Sequence, residues 1–344
     1  MTLFDQGHYK LKLHVQDADS RIIYDLGNSG LIESIMWQTH RLASQPGSLE
    51  ILVNEGIKDI AINPGSFVRF GINDKDLFYG NFENIELVNN VEGVSFAIVA
   101  YDHKKLLESV ETRHRPAGMT GSDFFHETMS WFNARIQSVG DPGIGWAVRE
   151  PSIAPLDDEY FPKQSLYSMF KNCMMHSHVA EAPNSQYMIR DNLGTLEWRE
   201  LKALRTDYIL GDRSFAESYV YAASLADTKN VIKFYRDNDT NGTRDVWTRY
   251  DSNNIRRWRY RQLAIQAEEY LSDAEISNLI DLHLAAKNRT NRTLKMTAAG
   301  IPALQAGDGI QVMASRAKID HHIWIESCTH IFAETHMMEL DLYI

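Results

Sequence analysis

The sequence predicts a mixed, β-rich α+β protein, with strand-dominated ends around a mixed middle. Three observations carry this expectation. The first hundred residues alternate short apolar strands with turn signals, helical periodicity sets in near residue 104, and alternation returns from about residue 215 to the last residue. At 344 residues the chain is long enough for two or three domains with their own cores. The expected boundaries are 1–103, 104–214 and 215–344.

In the first segment Leu49, Ile51 and Val53 share one face of a strand. Residues 65–70 are strand-like and are followed by a turn over Gly71-Ile72-Asn73-Asp74-Lys75-Asp76 before Leu77-Phe78-Tyr79. Residues 94–101 form a further strand. Strands at this spacing suggest a barrel or a sandwich. In the middle segment, Thr120-Gly121-Ser122-Asp123 has the form of a capping box. Behind it Phe125, Met129, Phe132 and Ile136 fall on one helix face. Residues 140–162, rich in proline and glycine, read as a long loop. A second helix is expected over 163–178, with Leu166, Met169, Phe170 and Cys173 inward, and then a hairpin over 187–198. In the last segment, strands at 218–223, 231–235 and 246–250 are interrupted by one helix. That helix opens at Ser272-Asp273-Ala274-Glu275 and carries Ile276, Leu279, Ile280 and Leu284 on its apolar face. The clearest strand is the last, with Met338, Leu340, Leu342 and Ile344 on one side.

Composition narrows the function classes. Hydrophobic content of 44% and charged content of 24% are ordinary globular values. No apolar run is long enough to cross a bilayer, and the first residues lack a signal-peptide h-region, so synthesis in the cytoplasm is expected. Cys173 and Cys328 are expected as reduced thiols in apolar surroundings. A net charge of −11 argues against a protein built to grip phosphates and suits a surface past which nucleic acid must slide.

Three local patterns invite a sharper chemistry. Arg236-Asp237-Asn238-Asp239-Thr240-Asn241-Gly242 begins like a calcium loop, but its twelfth position is Thr248 rather than a bidentate Glu, so a hairpin turn is the better reading. His321, His322, His330 and His336, with Glu326 and Glu334, could in principle supply zinc ligands. They lie in an expected hairpin at uneven spacing with no helical His-Glu-x-x-His, which favours solvated or structurally hydrogen-bonded imidazoles. Arg256-Arg257-Trp258-Arg259-Tyr260-Arg261 has the basic, aromatic composition of a single-strand nucleic-acid site, and equally that of a protein interface, which is favoured here. No nucleophile elbow, phosphate loop or dinucleotide motif is present. The expectation is therefore no catalytic, cofactor-binding or metal residue.

Read in order, a series of segments resembles the XkdQ/YqbQ-like family of phage tail proteins. They begin with Ile35-Met36-Trp37, Pro46-Gly47-Ser48-Leu49-Glu50-Ile51, Pro64-Gly65-Ser66-Phe67-Val68-Arg69-Phe70 and Phe78-Tyr79-Gly80-Asn81-Phe82. Ala100-Tyr101-Asp102-His103-Lys104-Lys105 looks like the family's tyrosine–aspartate segment closing the first domain. Ser224-Leu225-Ala226-Asp227, Asp251-Ser252-Asn253-Asn254-Ile255, Arg292-Thr293-Leu294-Lys295-Met296, Trp324-Ile325-Glu326-Ser327-Cys328-Thr329-His330 and His336–Leu342 continue the match. One departure is Arg259, where the pattern leads one to expect glycine.

The resemblance implies a structural hub of a contractile-tail baseplate, placed in the virion, in which two β-barrel-like domains flank a mixed α/β middle domain. It implies a homotrimer that joins a six-fold tail tube, or a tube-initiator protein, to a three-fold central spike. Other baseplate proteins and a tape-measure protein would be neighbours. No membrane would be involved, and DNA would be met only by passage through the channel. Two further readings stand beside it: a tail-associated cell-wall hydrolase using the C-terminal histidines and acids, and a nucleic-acid-binding protein using residues 256–261.

Overall fold

The structure is a computed structural model that describes residues 9–17, 21–27, 29–42, 44–54, 62–90, 93–181, 185–212, 214, 216–238, 243–267 and 271–344. Contacts divide the chain into two compact units, Met1–Tyr219 with Lys295–Tyr343, and Val220–Leu294 with Ile344. This partition differs from the three-part division expected at residues 104 and 215, because the final strands belong with the first ones and the inserted stretch stands by itself.

The larger unit begins with β1 (Leu11–Gln16), β2 (Ile23–Asp25), β3 (Ile32–His40), β4 (Ser48–Asn54), β5 (Phe67–Ile72), β6 (Lys75–Asn90) and β7 (Gly93–Tyr101). Leu13, Val15, Ile35, Trp37, Leu49, Ile51, Val53, Val68 and Phe70 are buried from this segment, which is the period-2 signal of the sequence made physical. Asn73 and Asp74, at φ 51° and 64°, form the two-residue turn between β5 and β6. Positive φ at both central residues matches the right-handed twist of the flanking strands.

Next come β8 (Val110–Arg115), α1 (Gly121–Ser138), β9 (Gly145–Val148), β10 (Glu159–Ser165), α2 (Leu166–Ala180), β11 (Tyr187–Asn192) and β12 (Thr195–Glu200). The Thr120 hydroxyl accepts from the Asp123 N–H at 3.1 Å and opens α1. Ser165 does the same for α2 through the Ser168 N–H. The two helices bury Phe125, Met129, Phe132, Leu166, Met169, Phe170 and Cys173 against Leu196 and Trp198. The stretch expected as a long loop carries β9 and the start of β10. β9 pairs in parallel with β12, and four residues paired to a strand fifty positions away leave no local signal.

After β13 (Arg205–Gly211), the chain passes into the smaller unit along β14 (Ala216–Ser224). That unit holds β15 (Val231–Asn238), β16 (Thr243–Tyr250), α3 (Ser252–Trp258), β17 (Gln262–Gln266) and α4 (Asp273–Lys287). Ile276 and Ile280 of α4 bury against Ile232 and Phe234. α3 is a second helix where one was expected. Asp251 caps it, accepting from the N–H groups of Asn253 and Asn254, and it buries no residue. β18 (Asn291–Ala299) returns to the larger unit, followed by β19 (Gly309–Ala314), β20 (Ile319–Phe332) and β21 (His336–Tyr343).

The barrel-like closure expected at each end is corrected by the strand order. Within the larger unit the order β21-β20-β3-β4-β7-β6-β5-β1-β2 makes one open sheet, and no closed barrel is formed among the described residues. The physical reason lies at β3. One of its edges pairs with β4 (Trp37↔Leu49) and the other with β20 (Trp37↔His330), so the strand that would seal an N-terminal barrel instead joins the C-terminal strands.

Candidate functional site

β20 and β21 form the expected hairpin, with Met338, Leu340 and Leu342 buried; Ile344 lies past the strand and is half-buried. The hairpin separates the histidines. His321 is exposed and His322 half-buried at the far end of β20, and Glu334 is exposed in the turn. Glu326 is held by the Arg41 guanidinium, whose Nε donates to its carboxylate. His330 is fully buried and His336 nearly so.

These two imidazoles form one hydrogen-bonded chain. His330 Nε2 lies 2.8 Å from the Leu304 carbonyl oxygen, which can only accept, so Nε2 carries the proton. His330 Nδ1 then accepts from His336 Nε2 at 3.0 Å, and His336 Nδ1 accepts from the Tyr9 hydroxyl at 3.2 Å. Trp37 stacks on His330 with centroids 5.0 Å apart, and Phe332 stacks on His336 at 4.0 Å. Burial pushes the His330 pKa down to about 4, and burial plus the neighbouring His330 pushes that of His336 down to about 3. Both rings are neutral at ordinary pH, each with one tautomer fixed. The Cys328 thiol, 3.2 Å from His330 Nε2, is raised well above the usual thiol range by burial and is inert as a nucleophile. This is a structural core. Sequence reasoning found the histidines but missed Tyr9 and the Leu304 carbonyl, which no spacing rule connects to them.

A second polar cluster gives the tyrosine–aspartate segment a role. The buried Asp102 carboxylate accepts from the backbone N–H of Gly47 at 2.8 Å and of Lys104 at 3.0 Å. Lys104 Nζ donates to the carbonyls of His40 and Gln45, which closes the β3–β4 connection. A Cβ at Gly47 would come within 2.5 Å of the Asp102 carboxylate, so only glycine fits there. Burial raises the Asp102 pKa to about 7 and lowers that of Lys104. Further along, the Arg115 guanidinium, fully buried, bonds Glu159, Asn172, the Asp157 carbonyl and the Cys173 thiol. Burial lifts the Cys173 pKa to about 11.

The open sheet has two unlike faces. Ile35, Trp37, His330, Phe332, Met338 and Leu340 look into the core. Directly opposed residues share a face, so the register Met337↔Ile331↔Met36↔Glu50↔Val99↔Asn84 crosses six strands on the outer side. The rows beside it run Glu339↔Thr329↔Gln38↔Ser48↔Tyr101↔Asn81 and Ser34↔Leu52↔Ala97↔Glu86. Asp341 sits opposite Ser327, and Ser327 opposite His40. These rows carry Glu50, Glu86, Glu339 and Asp341 and no lysine or arginine; Lys295 reaches Asp341 from a neighbouring strand at 3.0 Å.

The other patterns separate cleanly. The arms of the calcium-like stretch pair as a hairpin, Asn238↔Thr243 through Val231↔Tyr250, with Thr248 in the second arm; residues 239–242 lie outside the described residues. Among the described residues no three His, Cys, Asp or Glu side chains converge in a metal-holding geometry. Arg256, Arg257 and Arg259 are exposed around the end of α3.

A profile of the YQBQ-like family matches residues 35–343. The chain is 24% identical over 285 residues to the protein YqbQ of Bacillus subtilis, covering 82% of each chain. It is 22% identical over 316 residues to the phage-like element PBSX protein XkdQ of the same organism, covering 90% of this chain and 91% of that one. The fold is similar to that of the 43 kDa tail protein of prophage MuSo2 from Shewanella oneidensis, with a TM-score of 0.69, 11% identity, and coverage of 96% of this chain and 98% of that one. With a single profile running from β3 through β21, the chain belongs to the YQBQ-like family.

Proposed function

We propose that this chain is a non-enzymatic structural protein of a phage tail or phage-tail-like particle, acting as the baseplate hub. In this reading three copies form a ring between a six-fold tube and a three-fold spike, and DNA passes through the ring without being held. The observation that carries it is the two-faced sheet: strands from both ends of the chain join into one wall whose core side is apolar and whose outer rows from β21 to β6 hold Glu50, Glu86, Glu339 and Asp341, of which Asp341 is paired with Lys295. A wall of that sign repels phosphates, whereas lysines and arginines would bind them and release counterions. The near full-length likeness to a protein described as a phage-like element protein and to one described as a prophage tail protein supports the same setting.

Of the groups the hydrolase reading could use, His330 and Glu326 are engaged, and the exposed His321 and Glu334 lie at opposite ends of β20. His330 has no exposed surface and both of its ring nitrogens are engaged, while Glu326 is tied to Arg41. A general acid or base must reach its proton through at most one water. The test is incubation of purified protein with peptidoglycan, and no release of soluble fragments is expected. Cleavage that disappears in Glu326→Ala would overturn the non-enzymatic reading.

A further inference from the structure

The segment Arg256–Arg261 stands apart electrostatically from the chain that carries it. Residues 220–294 contain twelve Lys and Arg against ten Asp and Glu, a net of +2; taking this from the chain's −11 leaves −13 on the remainder. Within the small unit, Arg236, Arg244 and Arg249 are each paired with a carboxylate, of Asp273, Asp237 and Asp281. Among the described residues no carboxylate pairs with Arg256, Arg257, Arg259 or Arg261: the Arg256 guanidinium donates to the Asn253 side-chain oxygen, Arg257 lies over the Trp258 ring, and Arg261 donates to backbone carbonyls. Four guanidinium groups in six residues therefore hold an uncompensated positive charge.

The backbone adds an independent sign. Arg259 sits at φ 67° and ψ 174°, a region that is nearly glycine-only. The fully buried Asn230 enforces it, donating to the Arg259 carbonyl at 2.7 Å and accepting from the Arg261 N–H at 2.9 Å. Glycine would take this conformation without cost. An arginine there, exposed and without a carboxylate, costs local stability, and among the described residues its side chain has no partner that offsets this.

We propose that residues Arg256–Arg261 are a docking face for the acidic larger unit of a second copy of this chain. The inference rests on the self-association proposed above and names the surface that performs it. Charge complementarity selects the occupant, because the rest of the chain carries −13 and identical copies bring the two signs together. Arginine, tryptophan and tyrosine are also the residues that anchor protein interfaces. Nucleic acid fits less well: Arg257 lies over the Trp258 ring, and within residues 256–261 Tyr260 alone is an exposed aromatic. Between copies the contact is short-range, since salt screens charges beyond about 8 Å at physiological strength.

The test uses assembled particles containing the full-length chain, with a photo-reactive phenylalanine analogue in place of Tyr260, which is 57% exposed. Irradiation is expected to join two copies of this chain, with the partner peptide mapping to residues 1–219 or 295–343. Crosslinks to another tail protein or to nucleic acid, or no crosslink, would overturn the docking face while leaving the tail reading intact. Absence of the chain from particles would overturn both. In parallel, Arg259→Gly is expected to raise the melting temperature yet lower incorporation into particles, on the order of tenfold as for an interface anchor. Undiminished incorporation of both Arg259→Gly and the double variant Arg256→Glu/Arg257→Glu would also overturn the proposal.

Discussion

Acid should weaken this protein through the Tyr9–His336–His330–Leu304 chain, and the size of the effect follows from its geometry. In the folded state His330 and His336 titrate only near about 4 and 3, because burial disfavours the imidazolium, whereas their ordinary value is 6.5. Below 6.5 the unfolded chain therefore binds protons that the folded chain cannot. The contribution of the neutral rings is fully present above 6.5 and is lost progressively down to about 4 for His330 and about 3 for His336. At pH 5 each site lies about 1.5 units below its unfolded value, which at 1.36 kcal/mol per unit is about 2 kcal/mol, or roughly 4 kcal/mol for the pair. That is a large part of the 5–15 kcal/mol that holds a typical domain together. The assay is denaturant unfolding at a series of pH values for the wild type and for His330→Phe/His336→Phe, which keeps the stacking on Trp37 and Phe332. Its absolute stability will fall, because Tyr9 and the Leu304 carbonyl lose partners. The informative quantity is the slope: the wild type should lose roughly 4 kcal/mol more than the variant between pH 7.5 and 5. Parallel curves would refute the reasoning.

Deleting residues 337–344 removes the buried side chains of Met338, Leu340 and Leu342, each contributing on the order of 1.5–3 kcal/mol. Insoluble protein is expected, and a soluble product with an unchanged melting temperature would contradict it. Arg115→Ala should destabilise by about 3–5 kcal/mol in thermal or chemical unfolding, since it leaves Glu159 without its buried partner; a loss below about 1 kcal/mol would mean that the network is not worth its desolvation. Glu50→Lys/Glu86→Lys should leave solubility and assembly intact but slow DNA delivery, and delivery at the wild-type rate would count against the acidic wall.

The elements were legible where the signal is local. Alternation at Leu49–Val53 and Met338–Leu342, the Thr120 cap, and the apolar faces of α1, α2 and α4 all follow from contacts within a few residues. Partnership was not legible. Period-2 alternation says that a strand exists but not which strand it joins, so the pairing of β3 with β20, and with it the open sheet in place of two barrels, left no trace in either segment. α3 escaped notice because it buries nothing and depends on a single Asp251 cap. The shared face was hidden for the same reason: Glu50, Glu86, Glu339 and Asp341 are ordinary surface acids until the register places them on one side of the sheet. The histidines were half legible. Their uneven spacing already favoured hydrogen-bonded imidazoles over a metal site, but only burial and the neighbouring Tyr9 reveal which partners form the chain.

The most direct test of the central claim is an image reconstruction of tail particles assembled with this chain, at a resolution that places its strands. The account predicts three copies in a ring at the tube–spike junction, with the rows bearing Glu50, Glu86, Glu339 and Asp341 turned toward the channel axis. A particle complete without this chain, or a ring in which those rows face outward and lysines or arginines line the channel, would contradict it.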